Sequence, residues 1–453
     1  MNSRNLISRR KFLRMIALTV ACVALAGCGP SAETPSPTSA PATVEPTATA
    51  APVTLIYLVS DTETDQLVAH ALVDAYMKSH PNVIIEIENK PGGGEGDNVV
   101  KTRLATGEMS DLFSYNAGSL LQALNPADTL VDLTNEPFMK NVDEAFKQTV
   151  SQDGKVFGTP NQTAMGGGIL YNKKIYADLG LSVPMTWEEF AANNEKIKEA
   201  GIPPVIATYG DAWSSQLFVL ADYYNVQAAN PNFAEEYTAN KAKYATTPAA
   251  MAGFKYLQEG YEKGWYQDDF ATAKFDQGLE MLANGKGAHY PMLSFALPTI
   301  ATNWPDKVND IGFFAQPGPS ADKNGATIWM LLANYIPQTT TGEKLEAAKA
   351  FLAFTVSPEA VAVLNEAVPP SGPYLIKGAK LPDDALPAVL DIKAYIDSGN
   401  SAPALEFLSP IKGPNLENIC VAVGTGQMTP EEAAVAYDED VKKQAQQLGL
   451  PGW

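Results

Sequence analysis

Apolar residues along this chain fall into short continuous runs that alternate with stretches of helical spacing. The run Val53 to Val59 reads as a buried strand, and the polar stretch Ser60-Asp61-Thr62-Glu63-Thr64 as a loop and helix start. Leu67, Ala71, Leu72, Ala75 and Tyr76 then recur at helical spacing, and His80-Pro81-Asn82 ends that helix. Val83 to Ile87 predicts a second strand and Asp111 to Tyr115 a third. Strand, helix and strand in that order make a βαβ unit, hence a sheet with parallel strands. Later helices announce their starts. Thr186-Trp187-Glu188-Glu189 is a capping box, while Ser357-Pro358-Glu359 and Thr429-Pro430-Glu431-Glu432 each set a cap, a proline and an acidic first turn in a row. The pattern predicts an α/β protein with many helices and no internal repeat.

The first residues read as an address rather than as fold. A basic stretch, Arg4, Arg9, Arg10, Lys11 and Arg14, precedes the apolar run Met15 to Leu25, and Leu25-Ala26-Gly27-Cys28 closes it. That is the layout of a secretory signal, 1–27, ending in a site that looks like a lipobox with Cys28 as the lipid acceptor. The apolar run is short for a permanent membrane span. Ser8-Arg9-Arg10-Lys11-Phe12-Leu13 also resembles a twin-arginine export motif, which leaves two export routes open. Residues 28–52 carry the lipidated Cys and a tether of mostly Pro, Thr, Ser and Ala, which buries too little apolar surface to order itself. The expected anatomy is a lipid, a stalk and a body exported to the outer face of the cell membrane or facing the periplasm.

About 400 residues follow the tether, too many for one compact core, so two domains are expected. The formal charge of −19 argues against nucleic acid as a partner. Within the body only Cys420 remains, which excludes an internal disulfide and reads as a small buried hydrophobe.

Ala75 to Val83, reading AYMKSHPNV, resembles the opening helix and second strand of the extracellular solute-binding proteins of family 1, the sugar-binding lipoproteins of ABC importers. Lys101 to Gly118 is similar to the family stretch that ends in a strand delivering ligand contacts. Asp153 to Pro160, Ile169 to Lys173, Tyr176 to Leu181 and Met185 to Phe190 carry the resemblance furthest. Phe275 to Gly278, Gly285 to Ala288, Ile311 to Phe314 and Ala347 to Thr355 extend it over nearly the whole body. What the resemblance implies is a two-lobed periplasmic-binding-protein-like fold with a hinge of crossing strands, which closes on a ligand. By analogy the crossings fall near Phe157-Gly158, Phe314-Ala315 and Ala353-Phe354, giving a first lobe of 53–157 and 315–353 and a second of 158–314 and 354–453. The chain departs from the family at Pro291-Met292-Leu293-Ser294-Phe295, where a Gly-Ser-Trp or Gly-Pro-Trp segment is usual.

A sugar site needs flat aromatic faces together with amide and carboxylate groups. Asp61 and Glu63 lie at the C-terminal end of the first strand, where open α/β sheets present ligand contacts, and Tyr115 and Asn116 end a later strand similarly. Gln162 follows the first crossing, and Trp213 and Gln216 lie in a polar-aromatic segment. Ser294, Phe295, Trp329 and Phe407 complete the expected ligand set, while Trp187 and Trp265 read as packing residues. No cofactor or metal is expected, because His70, His80 and His289 have no partners at ligand spacing. Pro91 to Asp97 lacks the ending of a phosphate-binding loop and reads as a flexible loop, as does Gly166-Gly167-Gly168. The expected partners are a small ligand, the transmembrane subunits of an ABC permease and the membrane through Cys28, with a monomeric body. Two alternatives stay open: an anchored extracellular glycan hydrolase, since carboxylates are plentiful, and the same fold with a non-sugar ligand.

Overall fold

The computed structural model describes residues 52–161 and 163–453. Cys28, the signal and the tether lie outside the described residues, as does Gln162.

Two five-stranded sheets organise the body. The first has the order β2-β1-β3-β11-β6, from β1 (Val53–Ser60), β2 (Val83–Lys90), β3 (Leu112–Asn116), β6 (Gly158–Pro160) and β11 (Leu332–Tyr335). Its β1, β2 and β3 are parallel, with Val53 opposite Val83 and Ser60 opposite Lys90, and β11 runs antiparallel to both β3 and β6. Helix α1 (Glu63–Ser79) makes the crossover, burying Val68, Leu72, Val73 and Tyr76 on one stripe. The second sheet is built on β7 (Met165–Asn172), with β8 (His289–Leu293) on one side and β9 (Ile311–Ala315) and β10 (Ala326–Trp329) pairing with it too; β12 (Ser401–Pro403) extends β10. A small hairpin, β4 (Ser151–Gln152) with β5 (Lys155–Val156), precedes β6.

The chain leaves the first sheet after β6 and joins the second at β7, and it returns through Met330-Leu331, between β10 and β11. The third passage runs from the helix Pro358–Ala367, packed on α1, to the helix Pro387–Asp397, packed on β9. These positions correct the expected crossings. Gly158 opens β6 of the first sheet, Phe314 and Ala315 sit inside β9 of the second, and Ala353 and Phe354 lie inside the helix Gly342–Thr355 that covers β1. The cause is local. A buried apolar run such as Ile311–Ala315 has the same composition whether its strand stays in one sheet or crosses, and here β10 rejoins the second sheet before the chain turns back.

The passages are pinned to one another. Ala164 N donates to Pro373 O (2.8 Å) and the hydroxyls of Thr163 and Ser371 meet at 2.8 Å. A Cβ on Gly372 would fall 2.0 Å from Ala164 O, so only glycine allows this approach.

Both glycine runs differ from their expected loop. Gly166, Gly167 and Gly168 are buried inside β7, where a Cβ on Gly167 would stand 2.0 Å from the Trp329 ring. The run at Pro91 begins helix α2 (Gly93–Thr106). Cys420 is buried, as expected, and burial pushes its thiol well above the ordinary range. His289 is buried against Tyr176, their polar atoms 2.7 Å apart, and burial lowers its pKa to about 3. It stays neutral.

Candidate functional site

The C-terminal ends of β1, β2 and β3 and the first turns of α1 and α2 form one wall of a cleft between the sheets. Residues after β7, β8 and β12 form the other. Among the described residues, the walls approach each other at several points. Thr64 and Thr299 bring their hydroxyls to 3.0 Å, and Asn303 Nδ2 donates to Glu63 Oε2 at 3.2 Å. A Cβ on Gly93 would meet the Trp213 ring at 3.9 Å, and one on Gly118 would meet Phe407 at 2.8 Å.

The first wall is charged. Lys90 ends β2 and is only 8 % exposed. It lies against the first turn of α2, where a Cβ on Gly96 would come within 3.4 Å of Nζ. Burial lowers its pKa, opposed by Asp97, Asp65 and Asp61. Asp97, half-buried on α2, has its pKa raised by burial against the pull of Lys101, Lys90 and Lys412. The Tyr115 hydroxyl, on a side chain 1 % exposed, has Asp97 beside it but no hydrogen bond of good geometry.

The second wall is aromatic where it faces α2. Trp213, Phe275 and Phe295 are each half-buried and pack as a trio, with ring centroids 5.2, 5.5 and 6.0 Å apart. Trp213 stands on the 3₁₀ turn Ala212–Gln216; Asp211 fastens that turn by accepting from Phe275 N and pairing with Lys274 at 2.9 Å. Beside the trio, Lys412 pairs with the buried Glu406 at 3.1 Å. Glu417 has its pKa raised by burial, with Asp97 adding to the rise and Lys412 opposing it.

The structure gathers part of the expected set and disperses the rest. Asp61 is exposed at the cleft edge, its backbone N donating to Lys90 O, and Asn116 is half-buried at the end of β3. Trp213, Phe295 and Phe407 line the second wall. Glu63 is spent on Asn303, and Gln216 turns inward to donate to Trp213 O at 3.1 Å. Ser294 is fully buried. It accepts from Gly166 N and donates to Ser371 O at 2.6 Å, tying β8 to the third passage rather than facing a ligand. Trp329 is 2 % exposed, pressed on Gly167 with Nε1 donating to Glu406, and so offers no open face. Trp187 and Trp265 are packing residues, Trp187 stacked on Tyr256 at 3.6 Å.

Lys90, Asp97, Phe275, Lys412 and Glu417 were not anticipated. Lys90 carried a usable signal, the C-terminal end of a parallel strand, which is the rule that selected Asp61.

A two-lobed α/β protein with its polar and aromatic groups gathered between the lobes is a solute-binding protein by architecture. The family model described as bacterial extracellular solute-binding protein matches residues 60–362, and the chain belongs to that family. Among curated relatives, the multiple sugar-binding protein of Streptococcus mutans is 26 % identical over 284 residues, 61 % of this chain and 64 % of that one. The melibiose/raffinose/stachyose-binding protein MelE of Bacillus subtilis is 24 % identical over 326 residues, 70 % of this chain and 73 % of that one. Of solved structures, a chitin oligosaccharide binding protein superposes with a TM-score of 0.75 at 23 % identity, over 87 % of this chain and 99 % of the other. RafE in complex with raffinose gives 0.71 at 22 %, over 87 % and 99 %. These structures establish the fold.

Proposed function

We propose that this protein captures a sugar in the interlobe cleft and hands it to an ABC permease, without changing it chemically. The observation that carries the reading is the Trp213–Phe275–Phe295 trio set opposite a wall of charged and hydroxyl groups. Such a pair of surfaces suits a pyranose, which has apolar C–H faces and a rim of hydroxyls. Asp61, Asn116, Trp213, Phe295 and Phe407 are the ligand contacts we retain, together with Lys90 and Asp97. The relatives named for multiple sugars and for melibiose, raffinose and stachyose support a carbohydrate ligand. Closure follows from drawing these contacts from both lobes, since a ligand that touches both walls favours the closed form. Membrane attachment through lipid on Cys28, and the tether to residue 52, complete the proposal.

A thermal-shift panel of melibiose, raffinose, stachyose, maltotriose and chitotriose tests it. A sugar at 100 times its Kd adds about 2.7 kcal/mol to the folded state and raises Tm visibly. No shift with any sugar counts against the reading, and hydrolysis of a bound sugar would replace it with a hydrolase. Separately, Cys28→Ser should release the folded body from the membrane fraction.

A further inference from the structure

We propose that the second lobe holds a monovalent cation, sodium or potassium, on the side-chain oxygens of Asp222, Gln316 and Asn225. The proposal is independent of the sugar reading and concerns groups that reading does not use.

Asp222 follows the helix Leu217–Leu220, which lies on β7 and β8, and precedes the helix Tyr223–Ala229, which lies on β10 and β12. Its side chain makes no capping bond to that second helix. Gln316 is the residue after β9. One amide draws the two segments together: Asn225 Nδ2 donates to Asp222 Oδ1 at 2.7 Å and to the Gln316 carbonyl at 3.1 Å. A Cβ on Gly318 would fall 2.3 Å from Asn225 Oδ1, so the approach of that amide needs glycine there. Asp222 and Gln316 are each 1 % exposed, and Asp222 Oδ2, Gln316 Oε1 and Gln316 Nε2 have no hydrogen-bond partner among the described residues.

A carboxylate taken out of water needs an opposite charge, because burying it alone costs far more than a hydrogen bond returns. Among the described residues no cationic side chain acts on Asp222; burial dominates its setting, and the Asn225 amide is the group that favours its charge. Tyr256 and Tyr244, which feel that charge, are neutral phenols. A proton would neutralise Asp222 and give it a hydrogen to donate to Gln316 Oε1, yet Gln316 Nε2 would still lack an acceptor. A cation resolves all three atoms: Asp222 Oδ2 and Gln316 Oε1 are ligands, and a water on the ion accepts from Nε2. One carboxylate balances one positive charge, which selects a monovalent ion. The oxygen donors suit a hard ion, and no group of three His, Cys, Asp or Glu gathers among the described residues to hold a transition metal. The ion ties the helices on either side of Asp222 to the end of β9, so its effect falls on the stability of the ligand-free lobe.

Thermal melting of the ligand-free protein tests the site, in sodium, potassium, choline and calcium chlorides at matched ionic strength. Sodium or potassium should raise Tm about 2 °C or more above choline, because an ion bound only by the folded state stabilises it. Choline is too large to enter and reports the effect of salt alone. Asp222→Asn should erase the difference between the salts. Gln316→Met, which keeps the volume and removes both amide atoms, should shrink it, and this variant carries the test if Asp222→Asn folds poorly. Equal melting in all the salts overturns the proposal and leaves Asp222 protonated or hydrated. A difference that survives both substitutions places the ion elsewhere and overturns it too. A rise with calcium alone contradicts the charge count and overturns the monovalent assignment.

Discussion

The two walls of the cleft are built on opposite principles. The first presents charged and hydroxyl groups crowded under burial: the Lys90 ammonium with its pKa lowered, the Tyr115 hydroxyl beside Asp97, and Asp97 with its pKa raised. The second presents three aromatic rings packed on one another. Buried polar groups discriminate, because a ligand without the right hydroxyls leaves them without a bond when it covers them. Aromatic area contributes affinity and tolerates variation. The comparison teaches that the residue types most visible in a sequence, the tryptophans, report how strongly a ligand binds more than which ligand it is.

The largest effect is expected just behind the second wall. Gly167 lies in β7 under the Trp329 ring, which Glu406 holds by its indole N–H, so Gly167→Ala drives a methyl into a ring that has nowhere to go. A loss of stability of about 3 kcal/mol is expected, read by denaturant melting. A loss under about 1 kcal/mol would show that the wall yields. Next comes the wall itself. Trp213→Ala should cost about 2 kcal/mol of sugar binding by calorimetry while ligand-free melting changes little, since the ring is half-exposed on a 3₁₀ turn. The reverse pattern, a large loss of stability with binding intact, would return Trp213 to the core.

Much of the frame was legible in the sequence. The first strand, α1 and the strand from Val83 follow from period alone, though that strand runs on past Ile87 to Lys90; the capping box at Thr186 is realised with both reciprocal bonds, and the cap expected at Thr429 is itself a capping box. What escaped was decided at long range. Ser294 precedes Phe295 directly, yet one side chain points to the third passage and the other to the cleft; the direction depends on Ser371, 77 residues away. The glycine runs escaped for a related reason. Composition shows absent side chains, whereas what occupies the vacated volume at Gly167, the Trp329 ring, comes from a distant segment.

Ser294 therefore separates wall from hinge at a single peptide. Ser294→Ala strands Gly166 N and Ser371 O in the interior and should cost about 1–2 kcal/mol of stability. Sugar affinity should hold within about threefold if the lobes close as before. A variant that melts like the parent and loses binding would move Ser294 back among the ligand contacts.

The smallest effect tests whether Asp97 on the first wall titrates where the aromatic trio does not. Burial raises the Asp97 pKa, in spite of Lys90, Lys101 and Lys412, so the folded protein favours its protonated form more than the unfolded chain does. The sign follows by linkage. A carboxyl with a raised folded pKa adds stability that is fully present below the ordinary carboxylate range, about 4, and is lost as pH rises through the raised value. At pH 7 the ionised Asp97 therefore works against the ligand-free fold. Asp97→Asn should raise the ligand-free Tm on the order of 1–2 °C at pH 7, and the gain should vanish as pH falls below about 4. Phe275→Leu, in the aromatic trio, should shift Tm equally at both pH values, because none of the three rings titrates in that range. If Asp97→Asn lowers Tm at pH 7, attraction to the three lysines outweighs burial. Asp97 would then be a structural counter-ion rather than a group waiting for a ligand, and the contrast between the walls would narrow to Lys90 and Tyr115.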